Sequence, residues 1–478
     1  MNSLKKYIGA IALLASCFAV ASQKPNIIIV FNDDQGYQDL GCFGSPDIKT
    51  PHIDRMAEEG MKFTSFMVAS PVCSASRAAL LTGCYPNRVG VPNVFFPNTG
   101  ALGLAPKHVT MAEVLKTVGY KTKAVGKWHL GDHLQFLPTN QGFDSYYGIP
   151  YSNDMFPAKD MQYAADCLFR EGVTPEALVA AFPREKKGMS RWAKQPHKMK
   201  NQVPLMRDEV CIEFPTDQTT ITKRFADEGI AFISESVQQD KPFFLYLANS
   251  MPHIPLFASP NFKGKSERGL YGDVIEEIDY NVGRILNHLK EIGIEKNTLV
   301  IVTSDNGPWL VMKENGGSAL PLFEGKMTTF EGGQRVPCVM KWPGNIPAGS
   351  VCDELALSMD LLPTFAQITG AAIPTVQALD GKNIIDLMMA KAEAQTPHEV
   401  FFYNQSAVRS GDWKYHSREL FKVEATAREF TGPTLYNLKE DIGESNNVID
   451  QYPEIAARLA KALQSNPNKR VSNPARQK

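Results

Sequence analysis

Hydrophobic residues run along the chain in two alternating patterns. Ile27 to Phe31 form an unbroken apolar run that leads into Asp33 and Asp34. A run with no polar alternation is what a strand buried on both faces of a parallel sheet requires. Helix-like segments come next at TPHIDRMAEEGMKF, SASRAALLTG and TMAEVLKTVG, the last running into a short strand, YKTKAVG. The alternation then repeats. From about Thr219 to Gln239, Ile221, Phe225, Phe232, Ile233 and Val237 share roughly one helical face, and PFFLYLA comes after them as a strand. DVIEEIDYNVGRILNHLKEIG reads as a further helix, and TLVIVTSDNG as a further apolar strand that ends in polar residues. Helices alternating with buried strands predict an α/β sandwich with a large, mostly parallel central sheet. After about residue 395 the texture changes to short extended pieces, EVFFYNQSAVRSGDWKYHS and PTLYNLKED, and one helix, YPEIAARLAKALQ. These predict a small C-terminal subdomain with an antiparallel sheet and a covering helix. Residues 151–217 fit neither pattern and read as an insertion. The expected organisation is therefore a main domain over 25–394, interrupted at 151–217, and a subdomain over 395–478.

In open α/β sheets ligands gather beyond the carboxyl ends of the strands. Asp33 and Asp34, Lys127 and His129, His253, and Asp305 and Asn306 each fall at or just past the end of a predicted strand. Separate segments thus deliver polar groups to one rim.

Composition narrows the partners. The chain has 478 residues, 43% of them hydrophobic, enough for a large core. Its 50 Lys and Arg nearly balance 51 Asp and Glu, so no global field argues for nucleic acid, and an anionic substrate must be met by local positive charge. The N-terminus carries Lys5 and Lys6, the apolar run YIGAIALLASCFAV and an A-x-A site at Ala19 to Ala21. This is the layout of a signal peptide over residues 1–21, too short for a good membrane span. LASC, ending at Cys17, offers a second reading as a lipoprotein box that would leave Cys17 lipidated. Either way the protein is expected outside the cytoplasm, periplasmic or secreted, with no transmembrane span. The mature chain keeps Cys42, Cys73, Cys84, Cys167, Cys211, Cys338 and Cys352. Disulfides among them are permitted in an oxidising compartment, although their pairing is not written in the sequence. No two cysteines show C-x-x-C spacing, which argues against zinc.

The candidate chemistry starts from oxygen. NDDQG and SDNG each place side-chain oxygens where an apolar strand gives way to a turn. Either alone is ordinary turn composition. Together they offer three carboxylates and an amide oxygen, a hard-donor set suited to calcium or magnesium. GKWHLG and MPHIP add Lys127, His129 and His253, and FEGKMTTFEGGQRVP adds Lys326. Cations from dispersed segments beside a divalent ion make sense if they enclose an anion that also touches the metal, such as a phosphate or sulfate ester. Cys73, in SPVCSASRAALLTG, remains open at this point as a reactive thiol, a disulfide half, a metal ligand or a small buried group.

CSASRAALLTG resembles the signature C-x-P/A-S-R followed by L-T-G of type I, formylglycine-dependent sulfatases. GKWHLG, the His of MPHIP, SDNG and GGQRVP fall in the same order as in that family. The likeness runs from Pro25 to about Gly344, leans toward the arylsulfatase A and N-acetylgalactosamine-6-sulfatase branch, and departs at Ala75, where most members carry proline. The resemblance implies an alkaline phosphatase-like fold, one Ca2+ and conversion of Cys73 to Cα-formylglycine by a formylglycine-generating or sulfatase-maturating enzyme. The hydrated aldehyde would be the nucleophile, and its second hydroxyl would later allow sulfate to be expelled. It further implies that Asp33, Asp34, Asp305 and Asn306, with residue 73, hold the metal. Arg77 would orient the nucleophile, Lys127 and Lys326 clamp sulfate oxygens, His253 act as general acid and His129 as base for sulfate release. The expected substrate is a sulfated carbohydrate, with galactose- or N-acetylgalactosamine-type units favoured.

One feature lies outside that pattern. REKKGMSRWAKQPHKMK, residues 184–200, carries seven Lys or Arg against one Glu, with Trp192 among them. It reads either as a solvated loop or as an arm for a polyanionic glycan. Rival functions are an arylsulfatase, a phosphonate monoester or phosphodiester hydrolase of the same superfamily, and a glycan-binding protein on an inactive scaffold. The last is disfavoured because every carried-over position has a suitable residue.

Overall fold

In the computed structural model, residues 24–97, 102–170, 172–173, 201–417 and 432–469 are described. The signal segment with Cys17 and the basic stretch with Trp192 lie outside them. The apolar run at the N-terminus becomes β1 (Asn26–Asn32), buried along its whole length. It lies between two other apolar strands, β8 (Phe243–Ala248) and β9 (Thr298–Ser304), and pairs in parallel with both. Next to β8 come β3 (Lys121–Lys127) and then β4 (Ser145–Ile149), again parallel. These five form the parallel centre of one 12-stranded sheet.

Its two flanks are mixed. Beyond β9, β10 (Arg335–Lys341) runs antiparallel, and β2 (Met61–Met67) pairs antiparallel with it in turn. The short strands β11 (Ser350–Cys352) and β12 (Ala356–Leu357) both pair with β2. Beyond β4, the segment read as an insertion contributes β6 (Leu205–Arg207), β7 (Val210–Phe214) and β5 (Tyr163–Phe169) to the same sheet.

Successive strand residues point to opposite faces, and β1 shows the result. Ile27, Ile29 and Phe31 join a core that includes α2 (Cys73–Thr82), α3 (Met111–Lys116) and the helix Leu361–Thr369. Ile28 and Val30 join another, with α1 (Pro51–Glu58) and the long helices Ile221–Gln238 and Leu270–Glu291. Helices therefore cover both faces, as the buried strands demanded. A separate antiparallel sheet closes the chain, β13 (Phe401–Tyr403), β14 (Ala407–Ser410), β15 (Trp413–His416) and β16 (Thr434–Asn437), with the helix Pro453–Gln464 packed on it.

Two local expectations are corrected. The tail of TPHIDRMAEEGMKF is not helical: α1 stops at Glu58, and Met61 begins β2. Val237 is not on the buried face of its helix, being 37% exposed, whereas Ile221, Phe225, Phe232 and Ile233 are buried.

Gly126 shows how tightly the centre is built. It has φ of +102°, and a Cβ there would stand 1.8 Å from the Ala248 carbonyl oxygen on β8. Gly126→Ala should therefore push β3 away from β8 and displace the adjacent Lys127. We expect a loss of at least about 1–3 kcal/mol in urea unfolding, the range of enforced backbone strain. An unchanged midpoint would refute it.

Candidate active site

The carboxyl ends of β9, β1, β8 and β3 lie side by side, and each of these strands runs out into polar residues. Asp33 and Asp34 leave β1, Asp305 and Asn306 leave β9, Lys127 closes β3 with His129 two residues on, and His253 comes after β8. Asp34 and His129 adopt left-handed φ values of 63° and 61°. Strained backbone of this kind in non-glycine residues collects at functional sites. Asp33, Asp34, Lys127, His129, His253, Asp305 and Asn306 are all buried.

Cys73 is the first residue of α2, so its side chain sits at the helix start beneath the strand ends. Its Sγ lies 3.4 Å from Asp33 Oδ1, 3.9 Å from Asp34 Oδ1 and 3.4 Å from Lys326 Nζ. Arg77 stands one helical turn on, hence on the same face. Its Nε and Nη2 donate to Asp305 Oδ2 at 3.1 and 2.8 Å, and Nη1 donates to the Lys127 carbonyl at 3.0 Å. Arg77 thus ties the ends of β9 and β3 to α2, with a further, longer bond from Nη1 to the Tyr246 hydroxyl on β8 at 3.5 Å.

The lysines neutralise the acids. Lys127 Nζ is 2.5 Å from Asp33 Oδ2, and Lys326 Nζ reaches both Asp34 oxygens at 2.7 and 2.8 Å. Lys326 comes from a loop whose backbone is fixed by Lys326 N–H to Pro308 O and Met327 N–H to Pro71 O, each 2.9 Å. Glycines on both sides permit the close approach of this loop to the segment after β9: a Cβ on Gly307 would meet Gly332 O at 1.7 Å.

The hydrogen-bond partners assign both histidine tautomers. His129 Nε2 lies 3.0 Å from the Phe95 carbonyl, which only accepts, so Nε2 carries the proton and the buried Nδ1, which has no partner, keeps its lone pair. Burial, with Lys127 and Arg77 adding to it, holds the His129 pKa well below the ordinary value, so this ring is neutral at pH 7. His253 Nδ1 donates to Ile254 O at 2.6 Å and lies 3.3 Å from Ser152 Oγ, which leaves Nε2 facing Asp34 Oδ2 at 3.7 Å.

Charge settles what the unmodified Cys73 is worth. Burial, then Asp305 and Asp33, push its thiol well above the ordinary value. A thiol that stays protonated at neutral pH is a weak nucleophile. Burial works to raise Asp33 as well, but Lys127 and His253 outweigh it and hold the group low. Asp305 goes the other way: burial and Asp33 raise it against the pull of Arg77.

Asp33, Asp34, Cys73 and Asp305 each offer a ligand atom within 4.8 Å of one another. Asn306 donates through Nδ2 to Asp34 Oδ1 and to Gly307 O, while its Oδ1 is buried without a partner. An orphaned amide oxygen beside three carboxylates fits a hard divalent cation.

The structure brings together ten residues singled out in the sequence, from Asp33 to Lys326, and adds two that were missed. Ser152 Oγ is 3.2 Å from Lys127 Nζ and bridges it to His253. It lies just past the end of β4, so the strand-end rule would have found it had β4 been recognised. Trp309, three residues past Asn306, packs its ring at 5.5 Å from that of His253.

Comparison with known proteins assigns the chain to a family. The Sulfatase family model matches residues 25–371, and the model "N-sulphoglucosamine sulphohydrolase, C-terminal" matches residues 321–469. Arylsulfatase A of Bos taurus is 36% identical over 475 residues, covering 94% of this chain and 88% of that protein. N-acetylgalactosamine-6-sulfatase of Rattus norvegicus is 38% identical over 429 residues, covering 86% and 74%. The crystal structure of Ps i-CgsB in complex with k-i-k-neocarrahexaose superposes with a TM-score of 0.74 at 30% identity, covering 94% of each chain. With a family match along most of its length and relatives above 30% identity, the chain belongs to the sulfatase family and is a sulfuric ester hydrolase.

Proposed function

We propose that this enzyme hydrolyses sulfate esters on a carbohydrate, with galactose- or N-acetylgalactosamine-type units favoured, at a nucleophile made from Cys73. The observation that carries the reading is the Cys73 side chain, protonated as a thiol yet within 3.4 Å of both Asp33 and Lys326. The resemblance of CSASR to the sulfatase signature implies that Cys73 is converted to Cα-formylglycine by a maturation enzyme, and the place of the side chain between Asp33 and Lys326 suits such a nucleophile. The relatives support the substrate class: one is named for a sulfated amino sugar and another holds a carrahexaose.

Asp33, Asp34, Asp305 and Asn306, together with residue 73, would hold Ca2+. That ion would supply charge neutralisation at the sulfate and acidify the attacking hydroxyl. Lys127 and Lys326 bind sulfate oxygens through ammonium groups already aimed at the carboxylate cluster. Arg77 grips Asp305, which takes the proton of the hydroxyl at position 73. His253, protonated on both ring nitrogens in the reacting state, with Nδ1–H held on Ile254 O, gives its Nε2 proton to the departing sugar oxygen and is left as the Nδ1–H tautomer, a contribution of roughly 10²–10⁴-fold in such reactions. His129 accepts a proton at Nδ1 when sulfate leaves. Overall the ester and one water give the free alcohol and sulfate. The N-terminal segment favours action outside the cytoplasm, and among the described residues no helix is long and apolar enough to cross a membrane.

The test is sulfate release, read by ion chromatography, from sulfated galactose and N-acetylgalactosamine by protein co-produced with a maturation enzyme. Turnover of a matched phosphonate monoester with no sugar sulfate cleaved would overturn the reading. Chelation should lower activity by on the order of 10²-fold or more, with recovery on adding Ca2+. Full activity after exhaustive chelation would remove the metal from the proposal.

A further inference from the structure

Trp309 lies on the segment that leaves β9, and none of the roles above uses it. Trp309 is 8% exposed and packs against two of the proposed functional groups. One is the His253 imidazole, with ring centroids 5.5 Å apart and planes inclined by 43°. The other is the ammonium of Lys326, 4.7 Å from the indole centroid. We propose that Trp309 is a positioning residue for the general acid, holding His253 with Nε2 turned toward the leaving oxygen.

His253 is anchored along its Nδ1 edge by Ile254 O and Ser152 Oγ. Bonds to one edge leave the ring free to tilt about that edge, which would swing Nε2 through the largest arc. The indole packed against the imidazole blocks the tilt. The indole in turn is fixed, because an ammonium over an aromatic face is attracted by the ring's quadrupole and Lys326 is itself held by two bonds to Asp34. Trp309 also lies close behind Asp305 and Asn306 on one short stretch of chain. A single segment therefore sets the carboxylate cluster and the orientation of the acid, and a displacement of one moves both.

This inference rests on the sulfatase reading and on His253 as its acid, and the leaving group separates it from a merely structural role. A sugar alkoxide needs a proton as it departs; the phenolate of para-nitrophenyl sulfate needs far less help. The experiment compares kcat/KM of wild type, Trp309→Leu and Trp309→Phe on a sulfated galactose and on para-nitrophenyl sulfate. Trp309→Leu should lose at least about tenfold more on the sugar sulfate than on the aryl sulfate, since general acid catalysis is worth about 10²–10⁴-fold. Trp309→Phe, which keeps an aromatic face, should recover most of that difference. Adding Trp309→Leu to His253→Ala should cost little more on the sugar sulfate, because the two act as one unit. Equal losses on both esters, or full additivity with His253→Ala, would overturn the proposal. A wild-type enzyme inactive on both esters would instead sink the galactose-type substrate reading on which the proposal rests. Should the leucine variant fail to fold, Trp309→Met fills the space without a π face and gives the same comparison.

Discussion

Cys73→Ala should abolish turnover while leaving the protein folded. The side chain is 1% exposed and the change removes one sulfur atom from the start of α2, so thermal unfolding should shift little. Activity, by contrast, should fall on the order of 10⁴-fold or more, the scale seen when a covalent nucleophile is removed. Cys73→Ser makes the sharper test. Its hydroxyl would occupy the same position, flanked by Asp33, Asp34 and Lys326, and would attack the ester once. A serine sulfate has no second hydroxyl on the same carbon from which to expel the sulfate. The variant should therefore accumulate one sulfuryl group at residue 73 and stop, which peptide mass spectrometry would read directly. Peptide mass spectrometry of the wild type across the same residue should find an aldehyde. A fully active Cys73→Ala, or a wild type that turns over with an intact thiol there, would end the proposal.

The centre of this fold was legible because it is written in unbroken apolar runs. β1, β8 and β9 are buried on both faces, so no alternation hides them, and the polar residues that end each run are those the structure gathers at one rim. Legibility failed where local pattern and tertiary context part. β2 alternates between buried and half-buried positions only over its first four residues, and it comes after α1 with so short a turn that its apolar residues extend the helical pattern. β10 joins the sheet antiparallel, a choice made by its neighbours β9 and β2 rather than by its own residues. The site divides the same way. Asp33, Asp34, Asp305 and Asn306 announce themselves as oxygen donors at strand ends. Lys326 does not: an isolated lysine in a glycine-containing loop reads as surface until a family likeness points to it. Ser152 and Trp309 carry no motif, and their role comes from distances of 3.3 Å and 5.5 Å to one histidine, which only the folded chain provides.

Glu331→Gln should be among the most destabilising single changes in the molecule, although residue 331 touches no proposed substrate atom. Glu331 opens the short helix Glu331–Gln334 just before β10, and is fully buried. Three strands of the separate C-terminal sheet converge on it. Tyr403 on β13 donates its hydroxyl and Lys414 on β15 its ammonium, at 2.5 and 3.0 Å from Oε1, while Arg409 on β14 approaches Oε2 at 3.8 Å. Arg335 adds a contact at 3.4 Å, and Glu444 accepts both from Lys414 at 2.9 Å and from the Glu331 backbone N–H at 2.7 Å. Burial alone would raise the Glu331 pKa, but Lys414, Arg409 and Arg335 overcome it and hold the carboxyl far below the usual carboxylate range. Neutralising it takes the carboxylate away from Arg335 and Arg409 and leaves Lys414 with Glu444 alone, and breaking such a buried pair costs about 3–5 kcal/mol. A depressed folded pKa contributes stability that is complete above the unfolded value of about 4.3 and is lost as pH falls below it. The gap between wild type and Glu331→Gln in urea unfolding should therefore be widest near neutral pH and shrink below about pH 4. Pairing Glu331→Gln with Arg409→Met removes both charges of that pair and should recover part of the loss, because Arg409 is no longer left facing a neutral amide, whereas Lys414 keeps Glu444 at 2.9 Å. Hydrogen exchange should locate the damage in β13 to β16 first. Since Glu331 lies five residues beyond Lys326, kcat/KM should fall with it. A pH-independent gap, or exchange confined to the parallel strands, would show that this ionic cluster does not dock the second sheet onto the segment that carries the lysine.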